Sequence, residues 1–172
     1  MAEPSRIVGD QHFTGNCSFL GTAALPAGTV TNAMTNASAA IAATKVVHQF
    51  PLHHTQNDGS DVTTQVEVVH IAYAAGTVVA VEAVCDQAPD TDETITIDVL
   101  KSTGGGAFAT LLTGAIVLDS GNSARVLEAG TLVATPTYAD GDLIEISVTD
   151  GGGTGNQGQG LCVTVWCRES PA

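Results

Sequence analysis

Three histidines crowd one short stretch, His48, His53 and His54, and imidazole is a common ligand of transition metals. An extended chain turns adjacent His53 and His54 to opposite sides, and no nearby Cys or carboxylate has structural-zinc spacing. They are read as connector residues, although one histidine from each copy around a symmetry axis could form a ring. Two acidic clusters offer oxygen donors of the kind calcium takes. These are Asp86-Gln87-Ala88-Pro89-Asp90-Thr91-Asp92-Glu93 and Asn57-Asp58-Gly59-Ser60-Asp61, the second without a closing bidentate Glu. Asp and Asn also favour solvated turns through their own backbone hydrogen bonds, and that is the reading taken. No metal or cofactor is assigned.

Other reactive residues fare no better. A Ser/His/Asp hydrolase would want a Gly-x-Ser-x-Gly elbow, which the chain lacks, and His70 sits in an apolar alternating run as a satisfied or interface residue. Glu67, Glu82, Glu128 and Glu145 lie on or near strand-like stretches, so a carboxylate pair for glycoside hydrolysis stays open. Alternation already accounts for Glu145 as an outward residue. The glycines from Gly151 to Gly160 are followed by no Lys-Ser/Thr and read as a flexible exposed tip rather than a phosphate loop. Trp166 alternates with Val163 and Val165, which suggests a core or interface position over a sugar-stacking platform. Cys17, Cys85, Cys162 and Cys167 form no CxxC pair. The odd separation of the last two puts them on opposite faces of a strand, so buried free thiols are expected. No catalytic constellation emerges, and the chain reads as a non-enzyme.

The elements that would carry these residues change character near residue 50. Residues 1–50 read as an N-terminal arm: a strip from Phe13 to Gly21, a turn at Leu25-Pro26-Ala27-Gly28, and a short Ala-rich helix between Thr31 and Val47. Residues 51–172 read as an all-β domain, an antiparallel β-sandwich or jelly roll, with 48–61 as a connector broken by Pro51 and Asn57-Asp58-Gly59. Strand patterns run from Val62 to Ala74, Gly76 to Val84, Glu93 to Lys101, Phe108 to Leu118, Ala124 to Thr135, Leu143 to Val148 and Leu161 to Cys167. The cleanest has Ile95, Ile97 and Val99 on one parity and Thr94, Thr96 and Asp98 on the other, so its apolar face must meet a second sheet. Seven or eight short strands at this spacing suit closed antiparallel sheets.

Composition narrows the partners. With 5 Lys and Arg against 18 Asp and Glu, the formal net charge of −13 repels a phosphate backbone or an anionic membrane surface. No nucleic-acid or membrane partner is expected. Charged residues reach only 13% of a chain that is 44% hydrophobic, against about 25% charged in an ordinary domain. Such a surface gains by burial against copies of itself. Met1 to Asp10 holds no apolar core of the kind a secretory signal needs, so synthesis in the cytoplasm is expected.

Several segments together are familiar: Leu25-Pro26-Ala27-Gly28-Thr29-Val30-Thr31-Asn32 and Ala40-Ile41-Ala42-Ala43-Thr44-Lys45 in the arm, then Gly76-Thr77-Val78-Val79, Ile95 to Lys101, Ala139-Asp140-Gly141-Asp142-Leu143-Ile144 and Gly160 to Val165. This series resembles tailed-phage capsid decoration (cement) proteins and head-fibre proteins. The resemblance implies a homotrimer on the capsid surface of a virion, made in the host cytoplasm, partnered by the major capsid protein and by itself. Contacts with capsid or sister subunits are expected from Phe13, Phe19, Leu20, Leu25, Val30, Ile41, Val46, His48 and Phe50. The alternative is a tail-fibre or head-fibre tip that binds host glycan through loops 102–107, 119–123 and 150–160. A short chain without heptads or a repetitive shaft favours decoration.

Overall fold

The structure is a computed structural model that describes residues 48–169. The expected Ala-rich helix and most of the arm lie outside the described residues. Ten strands follow one another: β1 (His48–Thr55), β2 (Gln65–Ile71), β3 (Gly76–Val84), β4 (Thr94–Ser102), β5 (Ala109–Thr110), β6 (Ile116–Asp119), β7 (Glu128–Ala129), β8 (Thr137–Tyr138), β9 (Leu143–Asp150) and β10 (Cys162–Glu169). Every pairing is antiparallel.

The pairing is nested. β1 lies against β10, β2 against β9, β3 against β7 and β8, and β4 against β5 and β6, while β10–β3 and β9–β4 complete two five-stranded sheets. First strand with last, second with last but one, is the order of a jelly roll. The alternating residues turn inward as their pattern demands: Ile95, Ile97 and Val99 from β4 with Ile144, Ile146 and Val148 from β9, against Val78, Val81 and Ala83 from β3 with Val163 and Val165 from β10. All eleven are essentially excluded from water, which supplies most of the driving force for closing the two sheets on each other.

β1 corrects the sequence reading twice. Residues 48–55 form a strand rather than a connector, and the expected boundary between 50 and 51 falls inside it. Pro51 read as a break, yet β1 is an edge strand with a single neighbour, where a residue lacking N–H is tolerated. Phe50, Leu52 and His54 point inward, and Pro51 and His53 outward. The other departures are β5, β7 and β8, two residues each. Too short to show a period, they pair along the outer edges of β3 and β4 with help from loop bonds such as Gly130 N to Val81 O at 2.8 Å and Leu111 N to Val99 O at 2.7 Å.

This order sorts the connections to two ends. Loops 56–64, 85–93, 120–127 and 151–161 gather at one, and 72–75, 103–108 and 139–142 at the other. His48 lies at the second end, since it pairs with Glu169, which pairs in turn with Gly76.

Candidate functional site

The first loop end is acidic and stitched together. It carries Asp58, Asp61, Asp86, Asp90, Asp92 and Glu93, with Asp119 and Asp150 at its margins, and Arg125 as the one Lys or Arg in its four loops. Glu93 is 2% exposed although it carries a carboxylate. It is accommodated because Gly153 N donates to one oxygen at 2.9 Å and Gly155 N to the other at 2.6 Å. Asp90 accepts from Asn156 N at 3.1 Å, and Gln157 reaches back to the Gly153 carbonyl at 3.2 Å. A side chain at Gly153 would overlap the Glu93 carboxylate, which explains a glycine there. The Gly-rich stretch expected to be a flexible tip is thus a pinned loop.

Beside it, Arg125 donates to Asp86 through Nε at 2.6 Å and Nη2 at 3.3 Å. That hydrogen bond, reinforced by the charge of the guanidinium, holds the Asp86 carboxyl below the usual carboxylate range. Gln159 bridges both Asp61 and Gln87, so all four loops are cross-linked by hydrogen bonds or ion pairs. An open cleft of about 540 Å³ lies between Asp90, Asp92, Glu93 and the 153–155 turn. Of the two acidic clusters weighed as calcium donors and read as turns, the first spends Asp86 on Arg125 and Glu93 on backbone amides, and no group of three or more His, Cys, Asp or Glu fit to hold a metal occurs among the described residues.

No aromatic residue stands in these loops. The candidate glycan loops are also split, since 119–123 and 150–160 meet at the acidic end while 102–107 lies at the other. Sugar stacking at a single three-loop site loses its geometry.

The histidines close the seam between the two edge strands. His54 is buried in β1 and donates through Nδ1 to Glu67 Oε2 of β2 at 2.6 Å. His70 of β2 packs against Phe50, ring centroids 5.4 Å apart, and Tyr138, 6.2 Å apart, with Nε2 3.7 Å from Glu169 Oε1. His53 turns outward, as the alternation predicts, and shares a 3.1 Å hydrogen bond with Thr164. The imidazoles therefore pin β1 and β10 to β2, a role that spacing alone did not reveal. Of the nine expected contact residues, exposed His48 and half-buried Phe50 are described, and the Phe50 ring is engaged in the core. Phe13, Phe19, Leu20, Leu25, Val30, Ile41 and Val46 lie outside the described residues.

The four glutamates do not share a cleft. Glu82 and Glu145 lie on opposite outer faces, Glu67 sits at the β2 edge with His54, and Glu128 lies at the β7 edge, where it accepts from Asn122 at 2.7 Å. Cys85, Cys162 and Cys167 are free thiols, the first and last buried and pushed up to about 11 by burial. Cys162 and Cys167 fall on opposite faces of β10 as expected, and Trp166 lies half-buried on its outer face.

Sequence missed a second surface. Val66, Val68 and Ile71 on β2 are 58%, 46% and 68% exposed, and Tyr73 just beyond is 91% exposed. Inner-face alternation would have hidden alternate members of this run, but a register shift between Val68 and His70 and the edge position of β2 leave the outward set bare.

No family model matches the chain, and no curated protein does. Among solved structures, one described as the capsid of Ralstonia phage GP4 aligns at TM-score 0.47 and 14% identity over 74% of this chain and 86% of its own. A structure of Turnip Yellow Mosaic Virus aligns at TM-score 0.32 and 11% identity over 74% of this chain and 96% of its own. A crystal structure of PirA aligns at TM-score 0.31 and 9% identity over 70% and 92%. Likeness at this level carries no argument about what the chain does.

Proposed function

We propose that the chain is a structural protein of a phage virion, a capsid decoration (cement) protein that binds the capsid surface as a homotrimer and stabilises the head. The observation that carries this reading is the division of the jelly roll into two unlike ends. One end is a cross-linked acidic cap with no aromatic residue; the other is the end at which the chain preceding β1 joins the sandwich. Jelly rolls are a common building block of viral capsids, an analogy of fold that supports the reading without carrying it. The sequence resemblance to decoration proteins points the same way.

In this reading the segment ahead of β1 acts as an arm that grips the major capsid protein or sister subunits. The acidic cap stands outward, and its negative field keeps particles apart and soluble. The work done is binding: burial of arm surface contributes about 25 cal/mol per Å² before ordering costs are subtracted.

Co-sedimentation with undecorated capsids tests it. The full chain is expected to pellet with capsids to saturation, and the chain lacking residues 1–47 to stay folded and remain in the supernatant. Binding to host-cell glycans with none to capsids would instead establish the fibre-tip alternative.

A further inference from the structure

Asp followed by Gly is a step at which a polypeptide readily rearranges, and the chain has three: Asp58-Gly59, Asp140-Gly141 and Asp150-Gly151. The glycine amide nitrogen attacks the side-chain Cγ of the aspartic acid before it. Glycine permits this because no Cβ shields the nitrogen and the backbone turns freely. The nitrogen must give up its proton and swing toward the side chain, and an amide that already donates to a carbonyl must first break that bond.

The fold separates the three steps. Gly141 N donates to Ala72 O at 2.8 Å, and Gly151 N donates to Thr94 O at 2.8 Å. Asp150 is held as well, its Oδ1 accepting from Gly152 N at 3.0 Å and its own N donating to Thr64 Oγ1 at 3.0 Å. Gly59 is under no such restraint, since its nitrogen makes no hydrogen bond among the described residues. Asp58 and Gly59 are both exposed at the tip of a turn, and open space surrounds the place a Cβ would take on Gly59. We propose that Asp58 is a site of spontaneous succinimide formation and isoaspartate modification in the folded protein, while the other two steps are protected.

In the first stage the Gly59 nitrogen bonds to Cγ of the protonated Asp58 carboxyl, the Cγ–OH bond breaks, and water leaves with the amide proton. Water then adds to either carbonyl of the ring. Opening at Cγ restores aspartate. Opening at the main-chain carbonyl leaves Gly59 linked through Cγ, with one extra carbon in the backbone and the α-carboxylate free. Neither oxidant nor enzyme takes part, and the final mass is unchanged. The lengthened backbone falls where loop 56–64 is tied down, between the Gly160 N to Asn57 O bond at 3.3 Å and the contact of Asp61 with Gln159. The acidic end therefore loosens with age, whether or not the chain coats a capsid.

The test is to incubate the purified full chain in a warm, mildly acidic buffer, folded and in urea, and to follow isoaspartate by methyl transfer from protein isoaspartate methyltransferase, with fragmentation mass spectrometry of the peptides to place it. In urea all three steps should react at similar rates. In the folded chain Asp58 should react roughly tenfold faster than Asp140 or Asp150, a factor that corresponds to about one hydrogen bond of ordinary net strength. Asp58→Glu, whose ring would need six members, should remove the signal from the folded chain. Isoaspartate at 140 or 150 as early as at 58, a signal that survives in Asp58→Glu, or none at 58 when the chain in urea has gained it at all three steps, overturns the proposal. A chain that gains none in either state overturns it equally.

Discussion

Single residues hold the acidic end in shape, and Glu93 does the most. Its buried carboxylate takes the amides of Gly153 and Gly155, so Glu93→Ala leaves two N–H groups without their charged acceptor. Urea denaturation should show a loss of about 3 kcal/mol. Gly153→Ala should destabilise as well, since the added methyl displaces the same carboxylate. The thiols give a second residue-scale expectation. Cys85 and Cys167 are raised to about 11 in the folded chain, whereas an unfolded cysteine ionises near ~8.5. The folded state therefore holds these protons more tightly. The stability they contribute is complete below the unfolded value and is lost as pH rises through about 8.5 towards 11. Thermal melts from neutral to alkaline pH should show that decline, and native alkylation should reach Cys162 before either buried thiol. Asp86 acts in the opposite sense: with its carboxyl lowered by Arg125, its contribution is present above the ordinary aspartate range and fades as pH falls through the lowered value.

At the scale of elements, the seam between β1 and β2 depends on polar pins. Glu67→Ala takes from buried His54 its hydrogen-bond partner and should cost about 1–2 kcal/mol. Hydrogen exchange at β2 amides should quicken more than at β4 or β9, because β2 has one paired neighbour and they have two or more. The long strands were readable from residue order because each has a strong period: Ile95-Thr96-Ile97 and Ile144-Glu145-Ile146 alternate in sequence and in burial alike. β1 was not, since Pro51 signals a break in any chain whose edge position is unknown. β5, β7 and β8 hold too few residues for a period, and their pairing is set by strands far away in sequence. The histidine pins were hidden for a related reason: His54 and Glu67 lie on different strands, and only the fold brings them together. The pinning of loop 151–161 by Glu93 joins residues about sixty positions apart, so glycine content alone suggested mobility where the fold supplies anchors.

The described residues have a direction. Predominantly acidic loops close one end, β1 begins at the other, and an apolar strip runs along one flank. In the cleft beside the 153–155 turn, the carboxylates of Asp90 and Glu93 are occupied in holding backbone. That arrangement suits a protein whose task is to stand on a surface and to be rigid. The most direct measurement is an electron cryomicroscopy reconstruction of undecorated capsids mixed with the full chain. The account predicts added density on the capsid exterior, with the acidic loops around Glu93 and Arg125 pointing away from the shell and the His48 end towards it. Capsids without added density, or with the acidic loops against the shell, would contradict it.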